Sequence, residues 1–156
     1  MDITKQKKIF FIGIGGAGMS ALARVLLEMG YSVFGSDLKE TVRTVTLRDL
    51  GAKLFFGHSE SHLRSMDVVV VSSAIGEDNP EYMYAKQERL PVMRRAEMLN
   101  YIMSTFTKQI GVTGTHGKTS TSSMMVRVLE SVGMAPTYMV GSDFNDYGGN
   151  ASYQPG

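Results

Sequence analysis

Residues 8–18 read KIFFIGIGGAG, and this stretch decides the fold class of the chain. The apolar run at 8–14 is continuous rather than alternating, which predicts a strand that is buried on both faces of a parallel sheet. The glycines at 15–18 predict a tight turn, and residues 19–29 predict a helix with Leu22, Leu26 and Met29 on its apolar stripe. A strand, a glycine-rich turn and a helix in this order are typical of nucleotide-binding α/β domains.

The same alternation of strand and helix continues up to residue 104. The four consecutive valines at 68–71 predict a central parallel strand, and Asn79 followed by Pro80 predicts a helix N-cap and first turn. The sequence therefore predicts an α/β fold, a Rossmann-like doubly wound parallel sheet. Further strands are predicted at 31–35, 53–56 and 91–93, and helices at 44–50, at 80–88 and around Ala96, Leu99 and Met103.

A second unit is predicted after a linker at 104–108. We expect a strand at 109–112, a helix at 118–132, a strand at 137–140 and a loop from Gly141 onward. The predicted domains are thus 1–104, which is Rossmann-like, and a separate unit at 105–156. About fifty residues bury little apolar surface alone, so we expect the second unit to pack on the first or on a second copy in a homodimer.

Composition excludes several classes of protein. The chain has 156 residues, no cysteine and a net charge of +1 from 16 basic and 15 acidic residues. It lacks the basic field that nucleic-acid binding needs and the roughly 20 apolar residues of a membrane span. The apolar run at 9–14 is also too short for a signal peptide. A cytoplasmic protein with no membrane insertion is predicted, and the lack of cysteine favours a reducing compartment.

The first candidate site is the sequence from Gly13 to Gly18, which fits G-x-G-x-x-G. Gly13 permits the turn, Gly15 lets the backbone approach a diphosphate, and Gly18 lets helix and strand pack closely. Asp37 follows Gly18 by 19 residues, where a carboxylate can accept hydrogen bonds from ribose hydroxyls. The alternative is a tight turn without a ligand and a solvated carboxylate. The motif itself does not decide which nucleotide binds.

The second candidate site is a phosphate loop at 114–120, GTHGKTS. Position 112 is valine, so the sequence is not a strict Walker motif, but Lys118 can reach the β- and γ-phosphates of ATP and Thr119 can ligate Mg²⁺. The alternative is a surface lysine on a helix N-terminus, and the role of His116 stays open. The predicted ATP-binding residues are Gly114, Thr115, His116, Gly117, Lys118, Thr119 and Ser120.

Five ordered motifs carry a resemblance to a known family. They are GIGGAGMS at 13–20, GSD at 35–37, SSAI at 72–75 with NPE at 79–81, RAEML at 95–99 and GTHGKT at 114–119. They resemble the Mur ligases of bacterial cell-wall synthesis, and among these the ligases that join L-alanine to UDP-N-acetylmuramate. The related murein-peptide ligases share the ATP loop but are less similar at GIGGAGMS and SSAI.

The resemblance implies three domains, so that 105–156 is expected to be the truncated start of a P-loop ATPase domain. It also implies an ATP-dependent reaction through an acyl phosphate, with UDP-N-acetylmuramate, L-alanine and ATP as substrates and Mg²⁺ as cofactor. It implies that Lys118 and Thr119 are catalytic, with Thr119 holding Mg²⁺, and Ser120 replaces the more usual threonine. The family is roughly three times longer, so a fragment that is inactive alone is expected. The implied UDP-substrate residues are Gly13, Gly15, Gly16, Ala17, Gly18, Met19, Asp37, Ser72 and Ser73, with His58 as a further candidate.

Two alternatives remain open at this point. An NAD(P)-dependent oxidoreductase would use the first loop and Asp37 but not the second loop. A non-catalytic nucleotide-binding module would use either loop without turnover. Titration with a UDP-sugar and with NAD separates these three possibilities.

Overall fold

The computed structural model describes residue 3 and residues 7–144 and 149–155, which include a five-stranded parallel sheet. The spatial order of its strands is β3-β2-β1-β4-β5, so the strand that begins the fold lies in the middle. Ile9 of β1 is level with Val33 on one side and with Val68 on the other. The strands are β1 (Lys8–Ile12), β2 (Ser32–Asp37), β3 (Lys53–Phe56), β4 (Val68–Val71) and β5 (Val92–Arg94).

Two of the helices that connect these strands begin at a capping side chain. Asn79 accepts hydrogen bonds from the amides of Glu81 and Tyr82, and Thr41 accepts one from Thr44. The helices are α1 (Ala17–Glu28), α2 (Val42–Asp49), α3 (Pro80–Gln87), α4 (Arg95–Ser104) and α5 (Lys118–Ser131), and a 3₁₀ turn spans Glu60–Leu63.

The sheet is covered on both faces, which confirms the doubly wound prediction. Phe11 and Val70 face a cluster formed with α1, α2 and α4, whereas Phe10 and Val71 face a second cluster formed with α3 and the 3₁₀ turn. All four residues of β4 are fully buried, as a continuous apolar strand in a two-sided sheet requires. The carboxyl ends of the parallel strands meet at one edge, and the glycine-rich turn at 13–18 opens there because it follows β1.

Several predicted boundaries need correction. β1 ends at Ile12, two residues early, because the amides of Gly13 and Ile14 turn to the Ser36 carbonyl. α1 begins at Ala17 rather than at residue 19. In α4 the buried residues are Met98 and Ile102, so the predicted stripe lies one position away from the buried face.

The predicted strand at 109–112 is wrong. These residues form no strand pairing in the described part of the chain, and Ile110 is 60% exposed. A strand exists only through hydrogen bonds to a neighbour, and no described strand lies beside this segment.

The predicted loop from Gly141 is also wrong. β6 extends over Tyr138–Phe144 and pairs with an antiparallel strand β7 at Gly149–Ser152. The glycine, asparagine and serine content of this segment is low in strand propensity, and antiparallel pairing overrides it.

The segment after residue 105 packs on the first region, which is the unit predicted at 1–104. Packing on this unit was one of the two arrangements that the sequence predicted for the segment. β6 and β7 lie against α1, and Ala151 is fully buried in the same cluster as Leu22. The Tyr153 amide donates to Glu28 Oε2 at 2.6 Å, and the Phe106 and Tyr153 rings lie 6.3 Å apart. Within the described residues, no helix is long and apolar enough to cross a membrane.

Candidate nucleotide-binding site

The first glycine-rich turn is tied to the end of β2. The amides of Gly13 and Ile14 both donate to the Ser36 carbonyl, at 2.9 and 3.0 Å. Gly13 has φ +80°, a backbone conformation that side chains rarely allow. The turn is therefore fixed in place before any ligand binds.

Asp37 holds the same turn from the other side. Its Oδ2 accepts a hydrogen bond from the Gly15 amide at 2.8 Å, and its Oδ1 accepts one from the Leu38 amide. A Cβ atom at Gly15 would lie 2.9 Å from Oδ2, so the absent side chain makes room for this carboxylate. Each carboxylate oxygen can accept a second hydrogen bond, so Asp37 keeps the capacity to bind a hydroxyl group.

Three backbone amides at the start of α1 remain available. Those of Ala17, Gly18 and Met19 donate to no acceptor among the described residues, whereas the Ser20 amide bonds to the Gly16 carbonyl. The Met19 side chain is buried, so only its backbone faces the turn. Free amides at the positive end of a helix are chemically suited to hold an anion such as a diphosphate.

Gly18 has a different neighbour from the predicted one. A Cβ atom here would lie 3.0 Å from Cδ of Arg95, and its three nearest neighbours all belong to the Arg95 side chain. The close approach to a strand is at Gly35 of β2, where a Cβ atom would lie 2.6 Å from Cδ1 of Ile14 in the glycine-rich turn. Gly35 was not singled out for this role, and an isolated glycine within a predicted strand was the signal for it.

The loop after β4 adjoins the turn. A Cβ atom at Gly13 would lie 3.2 Å from Ser72 Cβ, and Ile75 lies beside both residues. The Ser72 hydroxyl accepts a hydrogen bond from the Ala74 amide at 3.4 Å, so it caps its own loop. Ser73 is exposed at the same edge. The structure thus brings Gly13, Asp37 and Ser72 together.

Sequence reasoning missed a buried carboxylate beside His58. Glu81 is fully buried, and its oxygens lie 2.7 Å from Nδ1 of His58 and 2.7 Å from Nδ1 of His62. The Ser36 hydroxyl donates to Glu81 Oε2 at 2.6 Å. The His62 ring also stacks on Phe55, with centroids 4.3 Å apart. No local pattern signals this cluster, because its members come from four separate segments.

This cluster fixes how His58 is presented. With Nδ1 engaged by Glu81, the nitrogen of His58 that is left for another partner is Nε2. Four donors surround the carboxylate, namely Ser36, His58, His62 and the Ser59 amide, so its charge is compensated without a metal. Among the described residues, no group of three or more histidine, aspartate and glutamate side chains is arranged to hold a metal ion.

The second loop, at 114–120, is exposed except for Thr119, which is half-buried. Lys118 Nζ donates to the carbonyls of Gly114 and Thr115, so its ammonium group closes the mouth of the loop. Gly117, with φ +76°, is the N-cap of α5. The amides of Thr115, His116 and Gly117 donate to no acceptor in the described part of the chain, which fits a loop that wraps phosphate oxygens.

The loop at 13–18 and the loop at 114–120 are not joined by hydrogen bonds in the described part of the chain. Thr119 Oγ1 lies 3.3 Å from where a Cβ atom of Gly141 would stand, so the second loop adjoins β6. His116 is exposed, and its role stays open.

Comparison with known proteins points to one family. A model of the Mur ligase family, catalytic domain, matches residues 8–107. The UDP-N-acetylmuramate–L-alanine ligase of Sulfurihydrogenibium is 50% identical over 147 residues, which are 94% of this chain and 32% of that protein. The chain therefore spans about a third of the length of the curated relatives it matches.

Two solved structures that resemble this chain are also ligases of the Mur type. The UDP-N-acetylmuramate–alanine ligase of Thermotoga maritima matches 94% of this chain and 34% of its own, with a TM-score of 0.87 and 38% identity. The UDP-N-acetylmuramate:L-alanyl-gamma-D-glutamyl-meso-diaminopimelate ligase of Neisseria meningitides matches 93% of this chain and 46% of its own, with a TM-score of 0.87 and 32% identity.

Proposed function

The chain belongs to the Mur ligase family, and on that premise we propose that it is the substrate-binding part of an ATP-dependent ligase that joins L-alanine to UDP-N-acetylmuramate. Support comes from the names of the relatives and from the free amides of Ala17, Gly18 and Met19 at the carboxyl edge of the sheet. The reaction belongs to peptidoglycan synthesis in the cytoplasm. We assign residues 1–104 to the UDP-substrate domain and 105–156 to the start of the ATP-binding domain.

The first turn would hold the UDP diphosphate. The free backbone amides of Ala17, Gly18 and Met19 and the helix dipole of α1 supply partial positive charge without a bound metal. Asp37 fixes the turn through the Gly15 amide and keeps acceptor capacity for ribose hydroxyls. Ser72 and Ser73 would form one wall of the nucleoside pocket, with His58, held by Glu81, as a further contact.

The second loop would hold ATP. In the proposed reaction a carboxylate oxygen of the muramyl group takes the γ-phosphoryl group and ADP leaves, and the amine of L-alanine then displaces phosphate from the acyl carbon. Lys118 would stabilise charge on the transferred group. Thr119 would supply one oxygen to Mg²⁺, an ion that needs further ligands, so this hydroxyl is one part of a larger metal site.

The experiment that tests the proposal is calorimetric titration of the chain with UDP-N-acetylmuramate, UDP and NADH. We expect saturable binding of the two uridine ligands. In Gly15→Val the new side chain meets the Asp37 carboxylate, and we expect UDP affinity to fall about tenfold or more, which is about 1.4 kcal/mol. The matched control is Gly111→Val, because a Cβ atom at Gly111 meets nothing within 4 Å.

Three results would contradict the proposal. Unchanged UDP affinity in Gly15→Val would remove the site from the first turn. Tight NADH binding with no UDP binding would favour the oxidoreductase instead. Binding of UDP without UDP-N-acetylmuramate would favour a nucleotide-binding module that does not recognise the muramyl substrate.

A further inference from the structure

Two adjacent arginines at the junction of β5 and α4 lie in different surroundings. Arg94 Nη2 donates to the Tyr82 hydroxyl at 3.1 Å, and its guanidinium lies 5.4 Å from the centre of the Tyr82 ring. Arg95 is exposed and forms no hydrogen bond or ion pair with the described residues. Arg94 therefore has a structural partner, and Arg95 has none that explains its position.

The Arg95 side chain crosses the first turn of α1. A Cβ atom at Gly18 would lie 3.0 Å from Arg95 Cδ, 3.4 Å from Nη1 and 3.6 Å from Nε. Any larger residue at 18 would displace this side chain. The guanidinium group thus lies within a few ångströms of the free amides at the start of the helix.

This placement brings two positive groups, the N-terminus of α1 and the Arg95 guanidinium, to the same turn. The N-terminus of a helix carries roughly half a positive charge, and a guanidinium beside it adds a full one. An anion between them is attracted by both, and the planar fork of an arginine matches two phosphate oxygens at once. The close approach of Arg95 to Gly18 therefore allows the guanidinium group and the helix amides to bind the same anion, which packing alone would not explain.

We propose that Arg95 is a phosphate-contacting residue of the substrate site, which binds the diphosphate of a nucleoside diphosphate from the side opposite the α1 amides. The inference rests on the proposed function, because it places the diphosphate at the same turn. It adds a charged side chain to a site otherwise made of backbone amides, and it assigns Gly18 the role of leaving room for that side chain.

The test compares UDP with uridine for the parent chain, Arg95→Ala, Arg95→Lys and Arg94→Ala. In Arg95→Ala we expect UDP affinity to fall about 10- to 100-fold, the range for a hydrogen bond to a charged group, and uridine affinity to stay unchanged. Lysine keeps the charge without the fork, so Arg95→Lys should restore part of the loss. Arg94→Ala is the matched control, and its UDP affinity should stay close to that of the parent.

A second probe separates the failure of this inference from the failure of the proposed function. Inorganic pyrophosphate is titrated while the amide NMR signals of residues 17–19 are followed, which needs no uridine pocket. If UDP fails to bind but pyrophosphate shifts these signals only when Arg95 is present, the proposed substrate is wrong and the role of Arg95 stands. If UDP and pyrophosphate bind equally well to the parent and to Arg95→Ala, or if uridine and UDP weaken together, the role of Arg95 is refuted. Pyrophosphate that leaves these signals unchanged in the parent also refutes it.

Discussion

The chain carries a glycine-rich turn followed by a helix in two places. The first turn and helix are part of a buried sheet structure, whereas the second are largely exposed. The first turn, at 13–18, follows a strand in the middle of a five-stranded sheet. The helix after it, α1, buries one face, which includes Leu22 and Leu26. The second turn, at 114–117, follows a segment without strand pairing. Its helix α5 buries only Val126 and exposes Met124 and Val128.

This difference shows that a local sequence can specify a helix and a glycine turn, but that it cannot by itself specify a strand. Helix α5 closes its hydrogen bonds within itself, and the left-handed conformation of Gly117 needs only a missing side chain. A strand at 109–112 would need a neighbouring strand, and the described residues provide none. The same sequence pattern therefore predicts the loop and the helix in both places, but the strand in only one.

The largest expected effect is a difference in amide exchange between the two helices. Amides of α1 should exchange only through global opening, whereas α5 should open locally, because only one of its residues is buried. We expect exchange in the middle of α5 to be at least about 100-fold faster than in α1. Hydrogen-exchange NMR at neutral pH measures both helices in one sample. Equal protection would mean that the two regions unfold as one unit.

The next effect is on the free energy of unfolding and concerns the buried carboxylate. In Glu81→Ala the hydrogen-bond donors of Ser36, His58 and His62 lose their shared acceptor. Breaking a buried charged network should lower the unfolding free energy by about 3 kcal/mol, measured by urea denaturation. The matched control is Glu88→Ala, at an exposed glutamate, which should change it by less than about 0.5 kcal/mol. A loss of similar size in both variants would mean that the cluster has no special role.

The first region also shows where sequence reasoning stops. The run of valines at 68–71 predicts β4 correctly because a strand buried on both faces needs apolar residues at every position. Asn79 and Pro80 predict the start of α3 because capping is local. The Glu81 cluster and the approach of Arg95 to Gly18 were not predictable, since they join segments that are brought together only by the folded sheet.

A smaller effect concerns the contact that joins the two regions. Asn150 of β7 is 4% exposed, and its Nδ2 donates to the Ala17 carbonyl at 2.7 Å, at the start of α1. Asn150→Ala should lower the unfolding free energy by about 1 kcal/mol, the usual contribution of one buried hydrogen bond. Asn100→Ala, at an exposed position of α4, is the matched control. If β7 amides keep the exchange protection of the parent in Asn150→Ala, this bond does not hold the second region on the first.

The smallest effect is a pH dependence at the same junction. Burial raises the pKa of Tyr138 above its ordinary value of 10.0; the nearby Arg24 lowers it, and Glu130 and Glu28 raise it. The unfolded chain therefore loses this proton first, so the stability that Tyr138 contributes is complete below pH 10.0 and falls as the pH rises through the higher folded pKa. In Tyr138→Phe this loss should be absent, and the unfolding free energy should fall less steeply above pH 10.0 than in the parent. Urea denaturation on both sides of pH 10.0 measures the two slopes, and tyrosinate absorbance follows the ionisation directly. Identical slopes in the two proteins would show that the Tyr138 hydroxyl titrates alike in the folded and unfolded chain, and that the junction does not exclude water from it.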